Sequence, residues 1–276
     1  MIVLIKHRLI KIIEKIPLIQ IFIYNNLQYF KFLFPHDKDY YALKILFRKN
    51  ETRAFLDVGG NIGLSTIGFR ELGFLNNKII MFEPDKFLIQ QYVNKIKKKY
   101  SKIIIYPFGL SDRLQKKKLF RAFYKNILFH FNNSFNLNYL KEKLKNNYGE
   151  KAKKFKIKST IFDLKKFDNL NIKEKICFIK IDVEGFDEYV LYGMKKFLKK
   201  NNPVILVEYN KCNFSKIYEL LKNKYNCYYY NFDKNQLQRL MIMDILRLKS
   251  GKILENKYKK NSVNVFFINN NKKKII

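Results

Sequence analysis

Four carboxylates in this chain stand where apolar runs end. Asp57 lies at the end of the run 54–58, Glu83 ends 78–83, and Asp182 and Glu184 follow 176–181. In an open α/β sheet, ligands bind at the carboxyl ends of the strands. Asp57 leads into Gly59-Gly60-Asn61-Ile62-Gly63, a turn before the helix-like segment 64–72. Gly59 and Gly63 can take backbone angles closed to other residues and leave room for a ligand against the turn. The following helix offers unpaired N–H groups at its start. The pattern reads Asp-x-Gly-x-Asn-x-Gly, and the third residue after Gly59 is Ile62. It is not the Gly-x-Gly-x-x-Gly of a dinucleotide site.

A pyrophosphate needs a bare helix end, whereas a zwitterion with an ammonium group needs a carboxylate nearby. The methionine part of S-adenosylmethionine (SAM) is such a zwitterion, and Asp57 can act on its ammonium directly or through water. Gly59, Asn61 and Gly63 complete that half of the site. Glu83 lies one helix further on, where a doubly wound fold places the acid that takes both ribose hydroxyls. Asp182 borders the same position. The competing reading is a plain strand, turn and helix with Asp57 as a structural cap.

Asp182 and Glu184 bring two like charges to one strand end, which raises one pKa, and such pairs concentrate at functional sites. Either carboxylate could take the proton from an acceptor hydroxyl. The alternative is that they cap the helix that follows. Lys180 alternates with Ile179 and Ile181 and can pair with a carboxylate; Glu208, ending the run 203–208, is a third acid for the pocket. The three histidines are isolated, so no metal ligand is assigned. Cys177, Cys212 and Cys227 are widely spaced without a C-x-x-C, which gives neither a zinc site nor a disulfide framework and fits a reducing cytoplasm.

The elements that must position these residues alternate strand and helix from residue 54, which argues for a mostly parallel sheet with helices on both faces. Seven strands are expected: 54–58, 78–83, 103–107, 176–181, 203–208, 226–232 and 261–268, the last two as a hairpin-like pair. Residues 237–248 read as apolar and mostly helical or irregular. Residues 113–175 interrupt the alternation as an insertion over the carboxyl edge of the sheet, with an Asn-rich loop at 132–134, a polar helix at 138–154 and a strictly alternating strand at 155–161. The loop's amides and hydroxyl suit a hydroxylated acceptor; the alternative is a solvated loop. Residues 1–50 form a helical lead-in before a domain of 51–276. His36, in the polar turn 35–40, is a pocket candidate.

Among 276 residues, 56 Lys and Arg oppose 23 Asp and Glu, a net charge of +33. That suggests an anionic partner. The lysines are spread along the chain among abundant Asn, Ile, Phe and Tyr, so coding bias is preferred over a nucleic-acid role. The N-terminal apolar runs are too short for a signal segment or a spanning helix. A basic amphipathic helix there could lie on an anionic membrane, or pack on the domain with its lysines in water.

Asp57-Val-Gly-Gly-Asn-Ile-Gly63, Phe82-Glu83-Pro84, Gly109-Leu110-Ser111-Asp112, Ile179-Lys180-Ile181-Asp182-Val183-Glu184-Gly185-Phe186, Val190-Leu191-x-Gly193 and Pro203–Glu208 occur in that order. Together they resemble the FkbM-type methyltransferases over residues 53–210. The resemblance implies a Rossmann-like class I SAM-methyltransferase fold, with SAM as cofactor. It implies that the loop holding Ser111 and Asp112 borders the adenine. It further implies O-methylation of a hydroxyl on a small molecule or glycan. The long polar insertion and the basic N-terminus favour a sugar of a cell-surface glycan, and the cysteines and that N-terminus point to a cytoplasmic protein peripheral to the inner membrane face. A nucleic-acid methyltransferase and a non-catalytic binding module are the competing readings. Oligomeric state is not legible in these residues.

Overall fold

The computed structural model describes residues 34–209, 213–249 and 264–272, together with Ile19, Phe22, Ile23 and Asn26. The expected N-terminal amphipathic helix, Cys212, residues 261–263 and the end of the basic tail lie outside the described residues.

Apolar runs that are buried on both faces become the strands β1 (Ala54–Val58) and β2 (Ile79–Phe82), followed by the edge strand β3 (Ile103–Tyr106), of which only Ile103 is buried. The chain then leaves this sheet for β4 (Gly109–Ser111), β5 (Gln115–Tyr124), β6 (Ile127–Ser134) and β7 (Phe155–Lys166). It returns through β8 (Ile176–Ile181) and β9 (Val204–Glu208), and ends in β10 (Tyr225–Asn231), β11 (Gln236–Arg239) and β12 (Asn264–Asn269).

The main sheet has the order β11-β10-β12-β9-β8-β1-β2-β3. Strands β3, β2, β1, β8 and β9 run parallel, β12 runs against β9 and β10, and β11 runs against β10. This is the expected Rossmann-like α/β architecture with eight strands instead of seven. The extra strand is β11, which falls in the stretch read as helical or irregular. Only Leu237 of Gln236–Arg239 is buried, so this edge strand offers too little apolar alternation to be recognised. The helical part of that stretch begins later, as Ile242–Lys249. Strands β10 and β12 do pair antiparallel, but the hairpin proper joins β10 to β11.

Period-two alternation divides the apolar side chains between two cores. On one face Phe55, Ile79, Phe178, Leu206 and Phe266 pack under helix Leu64–Glu71 and the segment carrying Tyr40, Leu43 and Phe47. On the other, Leu56, Val58, Ile80, Ile179, Ile181 and Val207 meet helices Asp187–Gly193, Phe214–Leu221 and Ile242–Lys249.

Strands β4 to β7 form a separate sheet in the order β4-β7-β5-β6. Ala122, Phe129 and Phe155 pack there against Leu140, Leu144 and Tyr148 of helix Leu137–Tyr148. This unit is tied to the carboxyl edge of the main sheet. Asn61 Nδ2 donates to the His130 carbonyl at 3.1 Å, Arg121 pairs with Asp85 at 3.0 Å, and Lys143 pairs with Glu184.

Candidate active site

The turn after β1 is held by the ends of its two neighbours. Gly59 and Gly60 N–H both donate to the Phe82 carbonyl, at 3.0 and 3.1 Å, and Asp182 N–H donates to the Val58 carbonyl at 3.0 Å. Gly59 has φ +82°, and a Cβ built on it would lie 2.0 Å from the Asp182 carbonyl oxygen. A side chain there would push the end of β8 away. Gly63 has φ +84° directly before helix Leu64–Glu71, and Asn61 shares the left-handed region at φ 49°. The glycines are thus needed for the turn and for the close approach of β8.

Glu83 is buried, and each of its oxygens accepts one backbone N–H: Asn61 at 2.7 Å and Asp85 at 2.8 Å. Burial raises its pKa to about 7 against the pull of those two bonds. A carboxylate has about four acceptor positions, so the bonds leave capacity for a ligand's hydroxyls. Asp57 is fully closed off from solvent. Its Oδ2 accepts from Thr66 Oγ1 at 3.1 Å, and its Oδ1 has no hydrogen-bond partner. Nor does Asn61 Oδ1, which is likewise buried. Buried acceptors left unmatched in a native fold call for an explanation, and a cationic, hydroxyl-bearing ligand supplies donors of the kind they lack.

Lys180, itself buried, sits between two acids: its Nζ is 3.1 Å from Asp182 Oδ2 and 3.9 Å from Asp57 Oδ1. Burial works to discharge Lys180, but Asp182, Tyr40 and Asp57 outweigh it and hold its pKa up. For Asp182, burial works upward and the Lys180 cation wins, so its pKa is lowered. The Asp182 side chain is about one third exposed, at 36%. It is a charged acceptor open to the cleft. His36 acts on it electrostatically as well, which brings the turn at 35–40 to this rim.

Glu184 has φ 53° and is followed by Gly185 at φ 87°, so the strand does not stay extended past Asp182. A non-glycine residue in this region is uncommon and clusters at functional sites. Lys143 Nζ reaches both Glu184 oxygens, at 2.6 and 2.7 Å. Burial raises Glu184 to about 7; Lys143 pulls it down, and Asp182 and Asp187 push it up. Glu208 is exposed at the end of β9, yet desolvation by the surrounding groups and the charges of Asp182 and Glu184 raise its pKa. The cleft therefore gathers Asp182, Glu184 and Glu208 around two lysines. Among the described residues no group of His, Cys, Asp or Glu is arranged to hold a metal ion.

Some expectations are corrected. Ser111 belongs to β4 of the second sheet and is fully buried, not part of an open loop. Its Oγ donates to Asp112 Oδ1 at 2.9 Å and accepts from Gln115 at 2.6 Å. Its carbonyl packs so tightly on Gly193 that a Cβ there would come within 1.9 Å. Residues 132–134 are not a loop either: Asn132, Asn133 and Ser134 are buried in β6, where Asn132 donates to the Tyr148 hydroxyl. β6 pairs with β5 on either side of Asn132 and Asn133, Phe120 with Ser134 and Ala122 with Phe129, with an irregularity in register between, although the stretch carries no β-like composition.

Several contacts around the candidate site had no signal in the sequence. Asp187 accepts from Val183 N–H at 3.2 Å and from Asn213 at 2.9 Å, and so fixes the loop that carries Asp182 and Glu184. Tyr40 shares a hydrogen bond with Ser65 at 2.9 Å, and Asn264 donates to Asp37 and Asp39. Lys143 is one of several lysines in its helix, and nothing in its neighbourhood marks it out. Asp187 follows Gly-Phe directly and reads as an ordinary first-turn acid.

Set beside known proteins, the chain matches the profile of the Methyltransferase FkbM domain over residues 57–229, well over half its length. A methyltransferase FkbM from Methylobacillus flagellatus KT superposes with a TM-score of 0.48 at 14% identity, over 84% of this chain and 48% of that one. This chain therefore spans about half the length of that relative. A precorrin-6y C5,15-methyltransferase from Geobacter metallireducens GS-15 gives a TM-score of 0.35 at 11% identity, over 83% and 85% of the two chains. No curated protein sequence matches. From the profile match over Asp57, Glu83, Asp182 and Glu184, the chain belongs to the FkbM family of methyltransferases.

Proposed function

We propose that the protein transfers a methyl group from SAM to a hydroxyl of a sugar in a cell-surface glycan or a related metabolite. The observation that carries this reading is the convergence of Asp182, Glu184 and Glu208 on one cleft beside the Gly59–Gly63 turn. When bound, SAM supplies an electrophilic methyl on a sulfonium. Glu83 would hold the ribose hydroxyls with the acceptor positions its two N–H bonds leave. Asp57, shut off from solvent, would act on the ammonium by charge from beneath the turn.

The chain's own residues then handle the acceptor. Asp182, kept ionised by Lys180, accepts a hydrogen bond from a neighbouring hydroxyl of the sugar and so orients the acceptor. Glu184, with a pKa raised to about 7, is matched to receiving the acceptor hydroxyl's own proton near neutral pH as the methyl is transferred. Alignment and exclusion of water supply the larger share of such an acceleration. The second sheet, seated over the carboxyl edge, shields the cleft.

Calorimetric titration with SAM and transfer of a labelled methyl to envelope glycan fractions test the reading together. Asp182→Asn is expected to retain SAM binding and slow transfer by about a hundredfold. Absence of SAM binding by the wild type, or label found only on nucleic acid, would overturn it.

A further inference from the structure

Helix Ile242–Lys249 buries Asp244, Ile245 and Leu248 against the main sheet. Its other side is apolar and faces water. Ile242 is 75% exposed, Met243 63% and Leu246 51%, with Met241 just before them at 64%. Residues 242, 243 and 246 lie on one helix face. Single exposed apolar residues need no explanation, but four together mark an interaction surface. The first turn is fixed, because Asp244 Oδ2 accepts from Met241 N–H at 3.1 Å.

The surroundings are basic. Arg247 and Lys249 lie on the same helix and Arg239 ends the preceding strand; Lys216 and Lys222 flank the neighbouring helix Phe214–Leu221. Acids sit among them, Glu219 paired with both Lys222 and Lys249, Glu188 paired with Lys216, and Asp244 buried on the helix itself, so these five cations outnumber three acids.

We propose that this stripe docks on an anionic membrane surface, with the helix lying flat among the headgroups and its basic flank on the lipid phosphates. A second copy of the chain is the poorer occupant, since each copy carries a formal charge of +33 and two such surfaces repel. Anionic lipid attracts the same charge. The helix is about 12 Å long, and among the described residues no helix is long and apolar enough to cross a membrane. An in-plane contact is what this length and pattern allow. The docked helix also reaches the active-site rim: the Leu248 carbonyl accepts from the Tyr209 hydroxyl at 2.9 Å, and Tyr209 follows Glu208. A hydroxylated acceptor borne on the membrane would be presented beside the carboxylate cleft. The docking itself does not depend on the reaction assigned above.

The test is sedimentation of the full chain with phosphatidylcholine vesicles, with and without phosphatidylglycerol. The wild type is expected to sediment with the anionic vesicles. The triple variant Ile242→Gln, Met243→Gln, Leu246→Gln should partition about tenfold more weakly or less still, with unchanged circular dichroism and melting temperature. The proposal is overturned if the wild type ignores the anionic lipid, or if the triple variant sediments as the wild type does. It also falls if sedimentation equilibrium shows a dimer that the variant dissolves, which would make the stripe a self-contact.

Discussion

Lys143 grips both carboxylate oxygens of Glu184, at 2.6 and 2.7 Å, and so clamps helix Leu137–Tyr148 of the second sheet onto the loop after β8 of the first. One ion pair both positions a candidate base and closes the cleft. Lys143→Met should raise the Glu184 pKa further and move the midpoint of the pH–rate profile upward by about one unit. The stability loss should be about 1–3 kcal/mol, less than for a fully buried pair, since the partners keep roughly a quarter of their exposure. Methyl transfer measured across pH, beside thermal melts, checks both; a midpoint that does not move removes Glu184 from the base role.

Lys180 neutralises the solvent-free Asp57 as well as Asp182. Lys180→Met leaves a buried carboxylate without its cation and should cost about 3–5 kcal/mol. Adding Asp57→Asn should recover part of that loss. Urea unfolding of the two single variants and the double variant measures the coupling. Strictly additive losses would mean that the 3.9 Å separation carries no energy.

Glu83 gives a pH signature with a definite sign. Its folded pKa of about 7 lies above the ordinary 4.5. Between those values the native state binds more protons than the unfolded one, so stability falls as pH rises through the window. The loss from Glu83 alone is about 3 kcal/mol. Glu184 at about 7 and Asp187 at about 6 act in the same direction. Glu83→Gln should lower stability at pH 5 and flatten its decline towards pH 8, as read from urea midpoints at the two values. A slope equal to that of the wild type would show that the Glu83 carboxyl is not perturbed by burial.

Gly59 and Gly73 separate close approach from backbone conformation. Both have positive φ, +82° and +98°, but a Cβ at Gly59 meets the Asp182 carbonyl at 2.0 Å and one at Gly73 meets nothing within 4 Å. Gly73→Ala should cost about 1 kcal/mol. Gly59→Ala should cost at least about 2 kcal/mol more and displace Asp182. Equal melting temperatures for the two variants would contradict the packing account.

Much of this protein is written in local pattern. The runs at 54–58, 79–82 and 176–181 are apolar on both faces and bounded by Gly, Pro or acid, so strand, turn and helix follow from propensity and period alone. The acids at the ends of those strands are fixed by counting, and the motifs around them carry the resemblance to the family that the profile match shows. Other features depend on pairing between distant segments. Residues 132–134 are polar, yet lie in β6, which pairs with β5 on either side of an irregularity in register; Gln236–Arg239 is an edge strand with one buried side chain. Ser111 is drawn into the second sheet and against Gly193, away from an open loop.

The sequence by itself determined the α/β order, the glycine turn and the identity of Asp57, Glu83, Asp182 and Glu184 as acids at strand ends, because period and turn chemistry are local. Only the tertiary structure decided the charge state of those acids and their company. Lys180 is two residues from Asp182, but Lys143 is 41 residues from Glu184 and Asn264 is more than two hundred from Asp37 and Asp39. A pKa answers to distance in space and to desolvation, and neither is encoded in the spacing of residues along a chain.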